Sequence, residues 1–194
     1  MIEPGRAPDA DWRFLQVPRG RRDVVLDLSP EAGGGLALAP EVHQVILLVS
    51  DPARLDEARA HTTAAGSGNI LAMTGDPHAL PFLEASFTSV LCAGQIHRRE
   101  DPTALLGEIR RVLQPRGWLG VAEPILSEHA AEAAVQERDL RDRDPGHVRG
   151  RSASALQDLL ARSGFEVVGA ETREARGVLG CTALLALKIE RDHG

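Results

Sequence analysis

Asp23-Val-Val-Leu-Asp-Leu28 runs directly into Ser29-Pro-Glu-Ala-Gly-Gly-Gly35. The first run is short and apolar, the pattern of a strand buried on both faces. The second is turn chemistry: Pro30 removes a backbone donor, and glycines let a backbone bend sharply or approach a neighbour closely. Gly33-Gly34-Gly35 leads into a brief helical stretch, Leu36 to Ala39, stopped by Pro40. Strand, glycine-containing loop and helix make the opening of an α/β unit, and the rest of the chain decides whether that unit repeats.

It does. Val45 to Val49 reads as a second strand, and Asp51-Pro52 as a helix cap with proline at the first helical position, ahead of a helix reaching about Ala65. Asn69–Thr74 and Ser89–Ala93 read as strands three and four. Asp101-Pro102 repeats the cap, and Leu105, Leu106, Ile109, Val112 and Leu113 form one apolar stripe at helical spacing. Pro115-Arg116-Gly117 is read as the end of that helix and Trp118–Glu123 as strand five. A charged helix is expected over roughly Ser127 to Asp142. Ser154-Ala-Leu-Gln157 has the capping-box pattern for the next helix, which stops at Ser163-Gly164. Phe165–Glu171 and Thr182–Ile189 are two strands with only a short polar stretch, Thr172 to Gly180, between them. The alternation predicts a mainly parallel sheet covered on both faces, and the terminal pair predicts one antiparallel strand. Such sheets bind ligands beyond the carboxyl ends of their strands, here residues 29–33, 49–51, 76–77, 93–97 and 123–126.

The 194 residues suit one domain, read as 23–194 behind an N-terminal arm over 1–22. Hydrophobic residues make up 43% and charged residues 26%, a soluble globular balance. A net charge of −6 argues against a nucleic-acid or acidic-membrane surface. No apolar run has the length of a membrane span, and the start lacks a signal-type stretch, so a cytoplasmic location is expected. The Arg/Ala/Leu/Gly bias suggests a high-GC bacterium on composition alone. Cys92 and Cys181 form no metal or redox motif and read as two buried free thiols. No metal-ligand spacing, Ser-His-Asp order or P-loop is visible, and no metal site is predicted.

The order of segments resembles the class I S-adenosylmethionine (SAM) methyltransferases, above all small bacterial members related to the quinone-biosynthesis C-methyltransferases. Five stretches carry the likeness: VVLDL with its Gly-containing loop, DPARLDEAR, GDPHALPFLEASFTSVLC, EIRRVLQPRGWLGVAEP and RDPGHVRGRSASALQDLLARSGFEVV. The resemblance implies a Rossmann-like α/β fold, a seven-stranded mixed sheet with helices on both faces in the order 3-2-1-4-5-7-6. It implies SAM as cofactor and a small-molecule substrate. No nucleic-acid or membrane partner is expected, and a homodimer is allowed.

Carried over residue by residue, the family's motif of acidic-x-Gly-x-Gly-x-Gly places its acid at Asp27. Ser29 and Glu31 stand where the first two glycines belong, and only Gly33 matches. A downstream register, Glu31-Ala-Gly33-Gly-Gly35, also fits an acidic-x-Gly-x-Gly string but lies past the strand. The acid that holds the ribose hydroxyls falls at Val49, which cannot accept a hydrogen bond. Ser50 or Asp51 stands next to it, and Asp51 equally reads as a plain helix cap. Asp76, beside Pro77, takes the place of the acid that accepts from the adenine amino group, and Ala93 ends strand four at the cofactor's edge. The resemblance therefore implies a cofactor set of Asp27, Ser29, Gly33, Val49, Ser50, Asp76, Pro77 and Ala93 in a degenerate form.

Methyl transfer asks a protein to align two reactants and sometimes to take up a proton. His97, after strand four, is the first candidate base and Glu123, at the end of strand five, the second. His147 and Arg149 are placed to close over a substrate. Three outcomes stay open at this level: a methyltransferase with weakened or altered SAM binding, a non-catalytic binding or scaffold protein, and a fold that binds another nucleotide or metabolite.

Overall fold

A computed structural model describes residues 20–175 and 178–189. Residues 1–19 of the expected arm, and 176–177 of the final turn, lie outside them. Seven strands make one sheet: β1 (Val24–Asp27), β2 (Gln44–Val49), β3 (Ile70–Thr74), β4 (Phe87–Ala93), β5 (Leu113–Ile125), β6 (Phe165–Ala175) and β7 (Val178–Lys188). Their order is β3-β2-β1-β4-β5-β7-β6. The first five are parallel, and β7 is antiparallel to both β5 and β6. The expected class and order hold.

Period-two alternation explains why the strands read as continuous apolar runs. In β2, Ile46 and Leu48 enter one core while Val45, Leu47 and Val49 enter the other. The first core is closed by α3 (Thr103–Val112) and α5 (Ala153–Arg162), and the second by α1 (Gly34–Leu38) and α2 (Leu55–Ala64). Helix α3 contributes Leu105, Leu106, Ile109 and Val112, all 0% exposed. Burying each side chain stabilises by about 1.5–3 kcal/mol. Helix α4 (Ala130–Arg143) buries only Leu140.

Three local expectations are corrected. Pro115-Arg116-Gly117 does not end α3; the helix stops at Val112 and the three residues bulge within β5, where the pairing jumps from Phe87↔Leu113 to Ser89↔Trp118. Arg116 takes a φ of 57° there. The cap of α5 is Ser152, whose hydroxyl accepts from Ala155 N at 3.3 Å, whereas Ser154 binds Glu128 instead. Cys92 is buried, as expected, but Cys181 is only half-buried; no disulfide joins the two. β5 separates their strands, so the two thiols cannot bridge. Among the described residues, no helix is long and apolar enough to cross a membrane.

Candidate functional site

Strands β1 and β2 deliver their carboxyl ends into a cleft of about 400 Å³. Leu28, Pro30, Glu31, Val49, Ser50 and Asp51 form its near wall, and Gln95, Arg98 and Arg99, after β4, its far wall. His78, Arg54, Glu57 and His61 also line it.

Asp27 shapes the near wall. Its carboxylate accepts from Ser29 N and Gly35 N, both at 2.8 Å, and so ties the loop to the first turn of α1. Burial pushes its pKa up to about 6, against the pull of those two N–H groups. This geometry selects the register with Asp27 as the motif's acid and leaves Glu31 free to line the cleft. Ser29 does not line it. Its hydroxyl donates to Ala93 O (2.7 Å) and accepts from Ala93 N (2.8 Å), so Ser29 and Ala93 clip β1 to β4 behind the cleft. Pro30–Ala32 forms a 3-10 turn, and Gly33 leaves it at φ 74° with open space where a side chain would stand. That opening keeps the backbone reachable by a ligand.

At the end of β2, Val49 lines the cleft with a side chain that offers no acceptor. Asp51 caps the 3-10 turn Pro52–Arg54 by accepting from Ala53 N at 2.9 Å, the plain reading of Asp51-Pro52, while also lining the cleft. Past β3, Asp76 accepts from His78 N (2.8 Å) and meets His78 Nδ1 at 3.2 Å. The first of these bonds lowers its pKa. Pro77 sits inside this turn, half-buried, so the residue presented to the cleft is His78.

His97 and Glu123, the candidate bases, bind each other. Glu123 Oε1 accepts from Gln95 N and Ile96 N, and its Oε2 lies 2.7 Å from His97 Nδ1. His97 Nε2 lies 2.9 Å from Asp144, which also holds Arg98 at 3.1 Å. Burial by itself would lower the His97 pKa; the hydrogen bond and charge of Glu123, then the bond to Asp144, outweigh it and raise the value. His147 stacks on His97 with centroids 5.6 Å apart. Val148 N and Arg149 N donate to the His97 carbonyl. The segment after α4 is thereby buttoned onto the loop after β4, as a cover should be, but Arg149 itself points outward to Glu100 at 3.7 Å. Among the described residues, no group of three or more His, Cys, Asp or Glu could hold a metal.

Sequence reasoning placed Gln95 within the expected 93–97 stretch but did not single out Asp144, the second anchor of His97, or the cleft residues Arg98 and Arg99. The signal for Asp144 was its place in the Asp-Pro-Gly segment ahead of His147, and that for the two arginines was adjacency to His97.

Comparison with known proteins agrees with this architecture. The family described as "Methyltransferase domain" matches residues 26–121. The chain is 26% identical over 149 residues to the O-methyltransferase resE of Aspergillus sclerotiorum, covering 74% of this chain and 55% of that protein. It is 32% identical over 118 residues to the ubiquinone/menaquinone biosynthesis C-methyltransferase UbiE of Ruegeria sp., covering 60% and 44%. The chain thus spans about half the length of these relatives. A methyltransferase-fold protein of Bacillus halodurans superposes with a TM-score of 0.82 at 19% identity, covering 92% of this chain and 98% of that one. With the sheet order, the Asp27-anchored loop and the matched domain together, the chain belongs to the SAM-dependent methyltransferase family, of which it is a class I member.

Proposed function

We propose that the protein transfers a methyl group from SAM to a small molecule in the cytoplasm, and that it holds the cofactor weakly, through contacts other than the family motif's. The observation that carries this reading is the open cleft over β1 and β2 with its loop still clamped by Asp27. A scaffold would need neither.

The donor set fits SAM with rerouted contacts. Ser50 and Asp51 would hold the ribose hydroxyls in place of the missing acid at Val49. Glu31 would face the ammonium, and the half-buried backbone at Gly33, which has open space where a side chain would stand, would take the methionine end. When bound, SAM supplies an electrophilic methyl carbon. This chain's own contribution is placement: the Glu123–His97–Asp144 ladder fixes the loop 95–99 and the cover segment against each other. Both ring nitrogens of His97 face carboxylates, so its role is to position this loop rather than to accept the substrate's proton. The carboxylates Glu31 and Asp51 line the cleft, whereas His97 does not.

Calorimetric titration of the purified protein with SAM and S-adenosylhomocysteine tests the reading. Saturable binding in the tens to hundreds of micromolar range is expected, because losing charged hydrogen bonds costs about 1.5–3 kcal/mol. No heat at millimolar ligand contradicts it.

A further inference from the structure

The far wall of the cleft carries a cation without a carboxylate partner among the described residues. Arg98 is neutralised by Asp144 at 3.1 Å, and Arg54 faces Glu57 at 3.9 Å. Arg99, half-buried at the cleft, instead donates to neutral acceptors: its Nε to His78 Nε2 at 3.0 Å, its Nη1 to the carbonyl and side-chain oxygen of Gln95. Its Nη2 hydrogens have no partner among the described residues. The contact with Arg99 Nε–H makes His78 Nε2 the acceptor, so the ring's proton sits on Nδ1, facing Asp76 at 3.2 Å. Asp76, His78, Arg99 and Gln95 thus form one hydrogen-bonded chain from the end of β3 to the end of β4. It fixes the guanidinium with no carboxylate in direct contact, because Asp76 reaches it only through His78 and across space. A guanidinium held this way is suited to a planar or tetrahedral oxyanion, which it can grip through two N–H groups.

We propose that Arg99 anchors the anionic end of the cleft's ligand. On the methyltransferase reading, on which this inference rests, that ligand is the methyl acceptor: a small molecule carrying a carboxylate or phosphate group, held on the far wall beside Gln95 and Arg99. Asp76 and His78 then act as positioning residues for Arg99.

The test is binding of three probes of matched size to the full chain: benzoate, phenyl phosphate and the neutral benzamide, each with and without saturating S-adenosylhomocysteine. Benzoate or phenyl phosphate is expected to bind at least about tenfold more tightly than benzamide. The stronger of the two identifies the group as carboxylate or phosphate. Arg99→Gln should remove that preference, while Arg99→Lys, which keeps the charge but not the fork, should retain part of it. Equal binding of all three probes to the wild type overturns the proposal, and so does an unchanged preference in a folded Arg99→Gln. If the anions bind in the expected way but S-adenosylhomocysteine does not, the anchor stands and the methyltransferase reading falls. If S-adenosylhomocysteine binds and the anions show no preference, the reverse holds.

Discussion

Two residues at the end of β1 show how a loop can lose the glycines of its family and keep its place. Ser29 is 0% exposed, and its one hydroxyl satisfies both the N–H and the carbonyl of Ala93. Ser29→Ala leaves both groups buried and unpaired, at about 1–3 kcal/mol for each buried group without a partner. Urea unfolding should show a loss of at least about 2 kcal/mol; a change within 0.5 kcal/mol would mean that water or the backbone replaces the hydroxyl. Asp27 makes a prediction in pH. Its folded-state pKa of about 6 is above the ordinary carboxyl value of 3.8, so the folded state binds the proton more tightly. Its contribution to stability is therefore full below pH 3.8 and is lost as pH rises through about 6. Relative to Asp27→Asn, the wild type should lose on the order of 3 kcal/mol of unfolding free energy between pH 3.5 and 6.5. A difference between the two that is constant across this window rejects the buried, reluctant carboxylate. At this scale the sequence could place Asp27 at the motif's acid but could not show which way Ser29 faces. That depends on β4, sixty-four positions away along the chain.

Helix α1 packs closely on β1 and β2, and Gly35 is what allows it. A Cβ at Gly35 would stand 2.8 Å from Asp27 Oδ2, 2.9 Å from Val45 Cγ1 and 3.0 Å from Leu47 Cδ2. Gly35→Ala must push α1 off β1 and β2, and an overpacked site of this kind costs about 1–3 kcal/mol. The same shift should strain the hydrogen bond from Gly35 N to Asp27. Gly33→Ala meets no neighbour and is penalised only by its positive φ. Urea midpoints should therefore rank Gly35→Ala below Gly33→Ala; the opposite ranking would reject the packing argument. Strands and helices were legible because both faces of the sheet are buried and because the Leu105–Val112 stripe has helical period. The bulge at Pro115–Gly117 was not. Its Pro-Arg-Gly chemistry is the same whether a helix ends or a strand kinks, and only pairing with β4 distinguishes them. The cap of α5 was misread for a similar reason: Ser152 and Ser154 are chemically alike, and Glu128 claims the second.

For the whole molecule, the order β3-β2-β1-β4-β5-β7-β6 puts the loops after β1, β2 and β4 around one cleft. The five resemblances in the sequence located that cleft because their order along the chain fixes the topology. They did not reveal its far wall, since Arg98 and Arg99 reach it through a loop whose course is set by Glu123 and His97. The proposed function requires that this cleft still take SAM, with weakened contacts where Val49 stands in place of an acid. Calorimetry with S-adenosylhomocysteine on the wild type and on folded Val49→Asp measures this. Weak, saturable binding to the wild type and at least about tenfold tighter binding to the variant are expected, the effect of one restored charged hydrogen-bonding group. Low-micromolar binding by the wild type, or equal affinity of the two proteins, would contradict the proposal.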